Sequence, residues 1–243
     1  ADLKTFAALG VYGTSALTAI TAQNTLGVTA VHELPSEMVA AQIDAIVSDI
    51  GADAVKTGML SSSAIIHTVV AKLGEHHLVE RLVVDPVMVA KGGDRLLQEE
   101  AVEALRGLLL PIATVVTPNL PEAAVLVGHS VETLEDARQA ARDIVAMGAQ
   151  SAVVKGGHLQ GDAVDVFYDG RELREFTAAR IETTSTHGTG CTFASAIAAG
   201  LARDMSVLDA VALAKDFVTE AIRRSFPIGR GHGPLNHFYK LWG

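Results

Sequence analysis

The chain contains a single cysteine, Cys191, among 243 residues. One cysteine cannot form a disulfide within the chain, nor can it supply the paired cysteines of a C-x-x-C metal site. Asp, Lys, Gly or Pro interrupts every long apolar stretch, so no run of about 20 residues could cross a bilayer as a helix. No repeat, low-complexity segment, linker or signal peptide is recognisable. We therefore expect one domain over residues 1–243, located in the cytoplasm.

Basic residues are also scarce. The 19 Lys and Arg are outnumbered by 28 Asp and Glu, which gives a formal net charge of −9. A surface for nucleic acid or for an anionic membrane would need clustered positive charge. We expect neither partner, although a small anion can still be bound locally.

Short apolar runs alternate with amphipathic stretches. Nearly continuous apolar runs are typical of strands covered on both faces, and the order strand, helix, strand predicts a mostly parallel sheet in an α/β protein. The predicted strands are residues 15–21, 54–56, 82–85, 114–117 and 152–155, and the predicted helices are residues 36–49, with a Ser36 cap, 134–147 and 207–224. Residues 163–176 flank Asp169 and Gly170 and predict a hairpin.

Polar residues follow each predicted strand. In open α/β sheets ligands gather at the carboxyl ends of the strands, so these residues are candidates for a site. The sequence places Gln23, Lys56, Asp85, Asn119 and Lys155 at such ends.

A glycine loop opens the small-residue helix that follows Thr186. Gly188, Thr189, Gly190 and Cys191 stand at its start. The first N–H groups of a helix lack internal partners and the helix dipole is positive there, so the loop predicts a phosphate site. An ordinary glycine-containing turn before a helix is the alternative.

The other candidates also have two interpretations. Asn119 and Glu122 match a capping box, but their oxygen atoms also suit Mg²⁺ beside phosphates. Asp85 before a proline could simply begin a turn. Lys155 could be a solvated lysine at the sheet edge, although the following glycines allow close approach of a phosphate, which favours function.

The set as a whole resembles the hydroxymethylpyrimidine/phosphomethylpyrimidine kinases of thiamin biosynthesis, members of the ribokinase-like superfamily. The resemblance covers essentially the whole chain and implies a three-layer α/β/α fold. The matching stretches begin at Ala1, Thr21, Lys56, Asp85, Thr117, Lys155, Thr186 and Gly231.

The resemblance implies transfer of the ATP γ-phosphoryl group to an aminopyrimidine alcohol and then to its monophosphate. Gln23 would hydrogen-bond the pyrimidine, with Asp2 nearby. Met59 and Val87, which composition alone would place in the core, would flank the ring.

For the donor, the resemblance implies ATP and Mg²⁺. Lys155, Asn119 and Thr186 would contact ATP, and Glu122, Asn119 and Asp85 would hold the metal. The amides of Gly188, Thr189, Gly190 and Cys191 would form an anion hole, a flap at residues 91–94 would cover the site, and the enzyme would be a homodimer.

Two features depart from the family pattern. A first strand and glycine-rich turn would precede Ala1, so we expect a missing segment and an incomplete acceptor pocket in this sequence. Ser185 stands where relatives commonly carry Asn, which affects the fine positioning of the glycine loop.

Cys191 can also be argued physically. A thiol at a helix N-terminus ionises more easily than its reference pKa of about 8.5, so Cys191 could act as a base. Three rival hypotheses stay open: a pyridoxal kinase of the same fold, a hydrolase with Cys191 as nucleophile and His187 as partner, and a ligand-sensing module without turnover.

Overall fold

The computed structural model describes residues 1–88, 99–157, 159 and 161–241. Helices and strands alternate over most of this length. The helices are α1 (Asp2–Ala8), α2 (Ser36–Val47), α3 (Ser63–Glu75), α4 (Glu99–Ala104), α5 (Leu120–Val127), α6 (Leu134–Ala146), α7 (Thr189–Ala202) and α8 (Val207–Arg223). The strands are β1 (Ala19–Gln23), β2 (Val28–Glu33), β3 (Val55–Thr57), β4 (Leu82–Val84), β5 (Val115–Val116), β6 (Ala152–Gly156), β7 (Ala163–Tyr168) and β8 (Leu173–Ala178). A π-helical turn (Leu105–Leu109) and a 3-10 turn (Leu110–Ile112) continue α4.

Six strands form the main sheet in the order β3-β4-β5-β6-β7-β8. The first four are mutually parallel, and β7 and β8 add an antiparallel extension. The hairpin predicted at Asp169 is confirmed: its Oδ1 accepts hydrogen bonds from the N–H groups of Arg171 and Glu172, at 2.9 and 2.7 Å. Gly170 adopts a φ of +87°, which explains why glycine follows the aspartate.

The sheet separates two apolar cores. Because successive side chains of a strand point to opposite faces, neighbouring valines of β4 enter different cores. Val83 packs with buried side chains of α7 and α8, whereas Val84 packs with those of α2, α3, α5 and α6. The predicted three-layer α/β/α architecture with a mostly parallel sheet is therefore confirmed.

The prediction that residues 15–21 form a strand of this sheet is wrong. The strand is β1, and it pairs antiparallel with β2 in a separate two-stranded sheet, hereafter the β1–β2 ribbon. A short turn brings the two strands together: Asn24 N–H donates to the Gly27 carbonyl at 3.1 Å, and Asn24 Oδ1 accepts from Leu26 N–H at 2.8 Å. Local pairing across this turn replaces insertion into the main sheet.

The predicted Ser36 cap is also wrong. Pro35 is the N-cap of α2 and no side chain caps the helix, because Ser36 is already its first helical residue. Within the ranges given above, no helix is long and apolar enough to span a membrane.

Candidate active site

Lys155 lies at the carboxyl end of β6 and faces two neighbouring elements. Its N–H donates to the Pro118 carbonyl at 2.8 Å, which fixes the strand end beside the residue that precedes Asn119. Its ammonium donates to Asp85 Oδ1 at 3.1 Å and is largely buried. A Cβ on Gly190 would stand 3.0 Å from this ammonium, so the glycine allows the start of α7 to approach it closely. The structure thus brings Lys155, Asp85 and Gly190 together, as the sequence predicts.

Asp85 follows β4 directly and is buried, with 2% of its surface exposed. Oδ1 also faces the Thr117 hydroxyl at 3.3 Å, whereas Oδ2 has no hydrogen-bond partner among the described residues. Burial alone would raise the pKa of this carboxyl, but the charges of Lys155 and Lys56 outweigh it and hold the pKa below its usual value. Asp85 is therefore an anionic group with one oxygen that accepts no hydrogen bond from the described residues.

The glycine loop forms the start of α7. Gly188 is the N-cap and adopts a φ of +79°, a left-handed conformation in which a residue with a Cβ is strained. The hydroxyl of Thr189 donates to the Thr186 carbonyl at 2.8 Å, which holds the loop closed. Because no side chain caps α7, the first-turn amides of Gly190 and Cys191 meet no competition from a capping side chain for an anion.

Cys191 does not have the easily ionised thiol that its position predicts. Burial raises the pKa of this thiol to about 11. The positive charges of Lys56 and Lys155 act in the opposite direction, while Asp85 and Asp2 add to the increase. The expectation from the helix N-terminus alone is wrong because desolvation and two carboxylates outweigh the helix dipole and the lysines.

Asn119 and Glu122 form the capping box. Asn119 Oδ1 accepts from Glu122 N–H at 2.9 Å, and Glu122 Oε2 accepts from Asn119 N–H at 2.8 Å. Burial raises the pKa of Glu122, and the nearby charge of Asp85 contributes in the same direction, against the opposing charge of Lys155. The capping interpretation is therefore confirmed. It leaves the Glu122 carboxyl close to Lys155 and Asp85.

Lys56 is the candidate at the strand ends to which the sequence gives no role of its own. It lies in the middle of β3 with only 4% of its side chain exposed, 3.1 Å from Asp2 Oδ2 and 3.9 Å from Asp85 Oδ2. A lysine inside an apolar run, two residues before a glycine, was the available signal. Asp2, Lys56, Asp85 and Lys155 together are called the charged cluster below.

The predicted acceptor residues surround this cluster less tightly. Within the described parts of the chain, no side-chain hydrogen bond or ion pair joins Gln23 to it, and Gln23 is exposed at the end of β1. The Met59 carbonyl accepts from the Thr18 hydroxyl at 2.8 Å, which ties the segment before β1 to the rim of the main sheet. Val87 N–H donates to the Asp85 carbonyl at 2.8 Å, so the Val87 backbone is fixed beside the cluster.

The loop before the C-terminus links the β1–β2 ribbon to the glycine loop. His232 N–H donates to the Thr25 carbonyl at 2.8 Å, and His232 Nδ1 lies 3.5 Å from the Thr186 hydroxyl. Gly233 accepts from His187 N–H at 2.9 Å, and its Cα packs on the buried Ser185 hydroxyl, which an added Cβ would approach to 2.9 Å. The predicted flap, residues 91–94, lies outside the described residues.

The arrangement is similar to that of known vitamin kinases. Residues 1–236 match the family described as phosphomethylpyrimidine kinase. The hydroxymethylpyrimidine/phosphomethylpyrimidine kinase of Streptomyces coelicolor is 52% identical over 241 residues, covering 99% of this chain and 89% of that protein. The thiamine biosynthesis bifunctional protein ThiED of Geobacter sulfurreducens is 52% identical over 238 residues, but the chain spans only 48% of its length.

Solved structures agree with this assignment. An ADP complex of Bacillus subtilis pyridoxal kinase superposes with a TM-score of 0.92 at 42% identity, covering 100% of this chain and 92% of that one. The phosphomethylpyrimidine kinase of Clostridium difficile 630 superposes with a TM-score of 0.81 at 42% identity, covering 91% of each chain. The predicted ribokinase-like fold is confirmed, and the chain belongs to the phosphomethylpyrimidine kinase family.

Proposed function

We propose that this protein transfers the γ-phosphoryl group of ATP to the hydroxymethyl group of 4-amino-5-hydroxymethyl-2-methylpyrimidine, and then phosphorylates the monophosphate, in thiamin biosynthesis. The observation that carries the proposal is the convergence of Lys155, Asp85 and Cys191 at the uncapped start of α7. Relatives about 50% identical over nearly the whole chain are named for these two phosphorylations, which supports it.

The assignment of the ATP site follows from the charge of Lys155. Lys155 is close enough to Gly190 to share an anion with the first-turn amides of α7, so we assign it to the ATP phosphates. Thr186 and Asn119 border the same region from the glycine loop and the start of α5. Structures of the Staphylococcus aureus pyridoxal kinase, 38% identical, hold AMP-PCP with pyridoxal, which supports an adenine nucleotide as donor.

The donor set also fits Mg²⁺. Asp85 Oδ2 is a buried carboxylate oxygen without a hydrogen-bond donor among the described residues, and Glu122 supplies a second carboxyl nearby. Hard oxygen ligands of this kind suit Mg²⁺, which neutralises phosphate charge when bound. The Asn119 side-chain oxygen is occupied by the capping box, so we assign Asn119 to positioning Glu122 and only secondarily to the metal.

The acceptor is assigned to the side of the cluster that carries Asp2. Gln23 has an exposed amide at the end of β1 that can donate to and accept from an aminopyrimidine edge. Met59 and Val87 flank the rim after β3 and β4. The hydroxymethyl group would then point toward Cys191 and the glycine loop.

Cys191 enters the reaction with its proton in place. Since burial raises its pKa to about 11, the thiol is neutral at physiological pH in the ligand-free protein. Phosphoryl transfer through a loose transition state depends mainly on positioning and charge stabilisation. We propose that the Cys191 thiol keeps its proton beside the reacting oxygen, that the hydroxyl proton passes late in the step to an oxygen of the transferred phosphoryl group, and that the α7 amides stabilise the phosphoryl oxygens.

A pyridoxal kinase is the second candidate. The similarity to the Bacillus subtilis pyridoxal kinase, with a TM-score of 0.92, favours it. The exposed amide of Gln23 favours the pyrimidine.

We also propose that the enzyme is cytoplasmic and acts as a homodimer.

The test is an ADP-release assay with the wild-type protein, Mg-ATP and three acceptors: the pyrimidine alcohol, its monophosphate and pyridoxal. The proposal expects turnover with the first two and weaker turnover with pyridoxal. Release of ADP with pyridoxal alone would replace the proposal by the second candidate. Lys155→Ala should lower turnover of both pyrimidines together, because both reactions use the same donor.

A further inference from the structure

Lys56 is buried although it carries a charge, and its environment is specific. The ammonium lies over Gly58, where an added Cβ would stand only 2.8 Å from Nζ. With 4% of its side chain exposed, it cannot be satisfied by bulk water. Its partners are the two carboxylates of the charged cluster, Asp2 at 3.1 Å and Asp85 at 3.9 Å.

The two carboxylates belong to different parts of the molecule. Asp2 Oδ1 accepts from the Ser195 hydroxyl at 2.9 Å, and Ser195 is buried on α7. Ser195 lies four residues after Cys191, so both face the same side of that helix. Through Asp2, Lys56 is therefore connected to the helix that carries the thiol.

Asp85 belongs to the other side of the site. Its Oδ1 is shared by Lys155 and Thr117, at the ends of β6 and β5. Lys56 on the neighbouring β3 thus bridges the helix that carries Cys191 and the sheet edge that carries Lys155.

Lys155 cannot keep its present contact unchanged if it binds phosphate. In the proposed function its ammonium turns toward ATP, and Asp85 Oδ1 then loses its nearest protein cation. Lys56 is the remaining cation of the charged cluster within 4 Å of Asp85, at 3.9 Å, and its own position is fixed by Asp2. It can hold Asp85 in place while Lys155 engages the donor.

We propose that Lys56 is a positioning residue that keeps Asp2 and Asp85, and through Asp2 the helix of Cys191, in fixed register during phosphoryl transfer. This role rests on the proposed kinase function. Lys56 would act on the geometry of the reacting groups and not on substrate binding, so its loss should lower kcat. A misplacement of about 1 Å at a reacting centre can cost on the order of 10²-fold in rate.

The experiment compares Lys56→Met with Lys72→Met. Met has a similar length without the charge, and Lys72 is a matched control because it also bridges two carboxylates, Asp44 and Glu75, each at 2.8 Å, on the α2–α3 side of the molecule. The assay measures kcat and KM for the pyrimidine alcohol and for Mg-ATP at 25 °C, together with the melting temperature. Wild-type turnover in the same assay tests the proposed function separately.

We expect Lys56→Met to lower kcat by roughly 10²-fold while both KM values change less than about threefold. Lys72→Met should keep wild-type kcat. A Lys56→Met protein that melts at a lower temperature but retains kcat within about threefold would make Lys56 merely structural and overturn the proposal.

A second set of variants decides the matter if Lys56→Met does not fold. Asp2 is 41% exposed on its side chain, so Asp2→Asn should fold. If Lys56 acts through Asp2, Asp2→Asn and Ser195→Ala should each lower kcat, and their combination should lose no more than the worse single variant. Unchanged kcat in both single variants, or losses that multiply, would overturn the proposal.

Discussion

Cys191 is surrounded by two lysines and two aspartates, so its thiol reports the electrostatic balance of the site. It is also the only cysteine in the chain, and it is partly exposed, so an alkylating reagent reports on it alone. Because burial raises its pKa to about 11, the rate of reaction with iodoacetamide should keep rising beyond pH 9 in the ligand-free protein. A plateau below pH 9 in the rate profile would contradict this environment. The Ser195→Ala variant serves as a control, because it leaves all the charges in place.

His237 gives a second prediction at the scale of one residue. It is 5% exposed, and its Nε2 lies 2.9 Å from the Thr192 hydroxyl. Burial lowers its pKa from 6.5 to about 4. The unfolded chain therefore binds the proton more strongly between these values, and the free energy of unfolding must fall as the pH drops from about 6.5 to 4.

The size of this effect follows from the conversion of about 1.4 kcal/mol per pKa unit, which gives roughly 3 kcal/mol for His237. Urea unfolding at pH 7 and pH 4 measures it. His237→Gln should lose less stability than the wild type over that interval. Equal pH dependence in the two proteins would remove His237 as the cause.

At the scale of elements, a buried ion pair joins α8 to β7, next to the end of β6. Lys215 Nζ donates to Asp165 Oδ2 at 2.9 Å and to the Ala163 carbonyl at 2.8 Å. Asp165 Oδ1 accepts from Gly156 N–H at 3.0 Å, directly after Lys155. The pair thus supports the strand end on which Lys155 stands.

Removal of one partner should be costly. Lys215→Met leaves a buried carboxylate without its cation, and such a change typically costs about 3 to 5 kcal/mol. The matched control is Arg174→Met on β8, whose pair with Glu172 is about half exposed and should contribute less than about 1 kcal/mol. Denaturant unfolding compares the two. A loss below about 1 kcal/mol for Lys215→Met would contradict the interpretation of this pair.

Elements also differ in how far the sequence predicts them. The apolar runs of β3 to β6 predict buried strands correctly because both faces of each strand are covered. The same criterion assigns β1 to the wrong sheet and misses β2, because an apolar run does not show which strand it pairs with and β2 is largely exposed. The capping box at Asn119 shows a different limit: one pair of side chains can cap a helix and border a site, and sequence alone does not separate these roles.

The residues of the candidate site also differ in how far the sequence predicts them. Lys155, Asp85 and the glycine loop were predictable because each stands at a strand or helix end, where the topology of the fold brings them together. The ionisation of Cys191 was not, because it depends on burial and on charges brought from α1, β3 and β4. Lys56 received no role from the sequence for a related reason, since only the folded chain places Asp2 beside it.

At the scale of the whole molecule, the β1–β2 ribbon is an exposed part on which we expect a partner to pack. A two-stranded sheet is marginally stable alone, and this one exposes 54% of Ile20 and 60% of Leu26. We expect the ribbon to pair with a second copy of the chain, which gives the predicted homodimer.

The prediction of one domain over residues 1–243 stays a prediction.

Sedimentation equilibrium tests the dimer. The wild-type protein should have about twice the mass of the 25.4 kDa chain, and Ile20→Glu should shift it toward the monomer. Val125→Glu, an exposed apolar position on α5, is the control and should leave the mass unchanged. A monomeric wild-type protein at micromolar concentration would contradict the expectation.

The most direct test of the central claim is a ³¹P NMR time course of the wild-type protein with Mg-ATP and 4-amino-5-hydroxymethyl-2-methylpyrimidine. The account predicts a phosphomonoester signal first, followed by the paired signals of a diphosphate ester as the same site phosphorylates the monophosphate. Both should disappear together in Lys155→Ala, because one donor site serves both transfers. Consumption of ATP without any phosphorylated pyrimidine, or phosphorylation of pyridoxal alone in a parallel sample, would contradict the account.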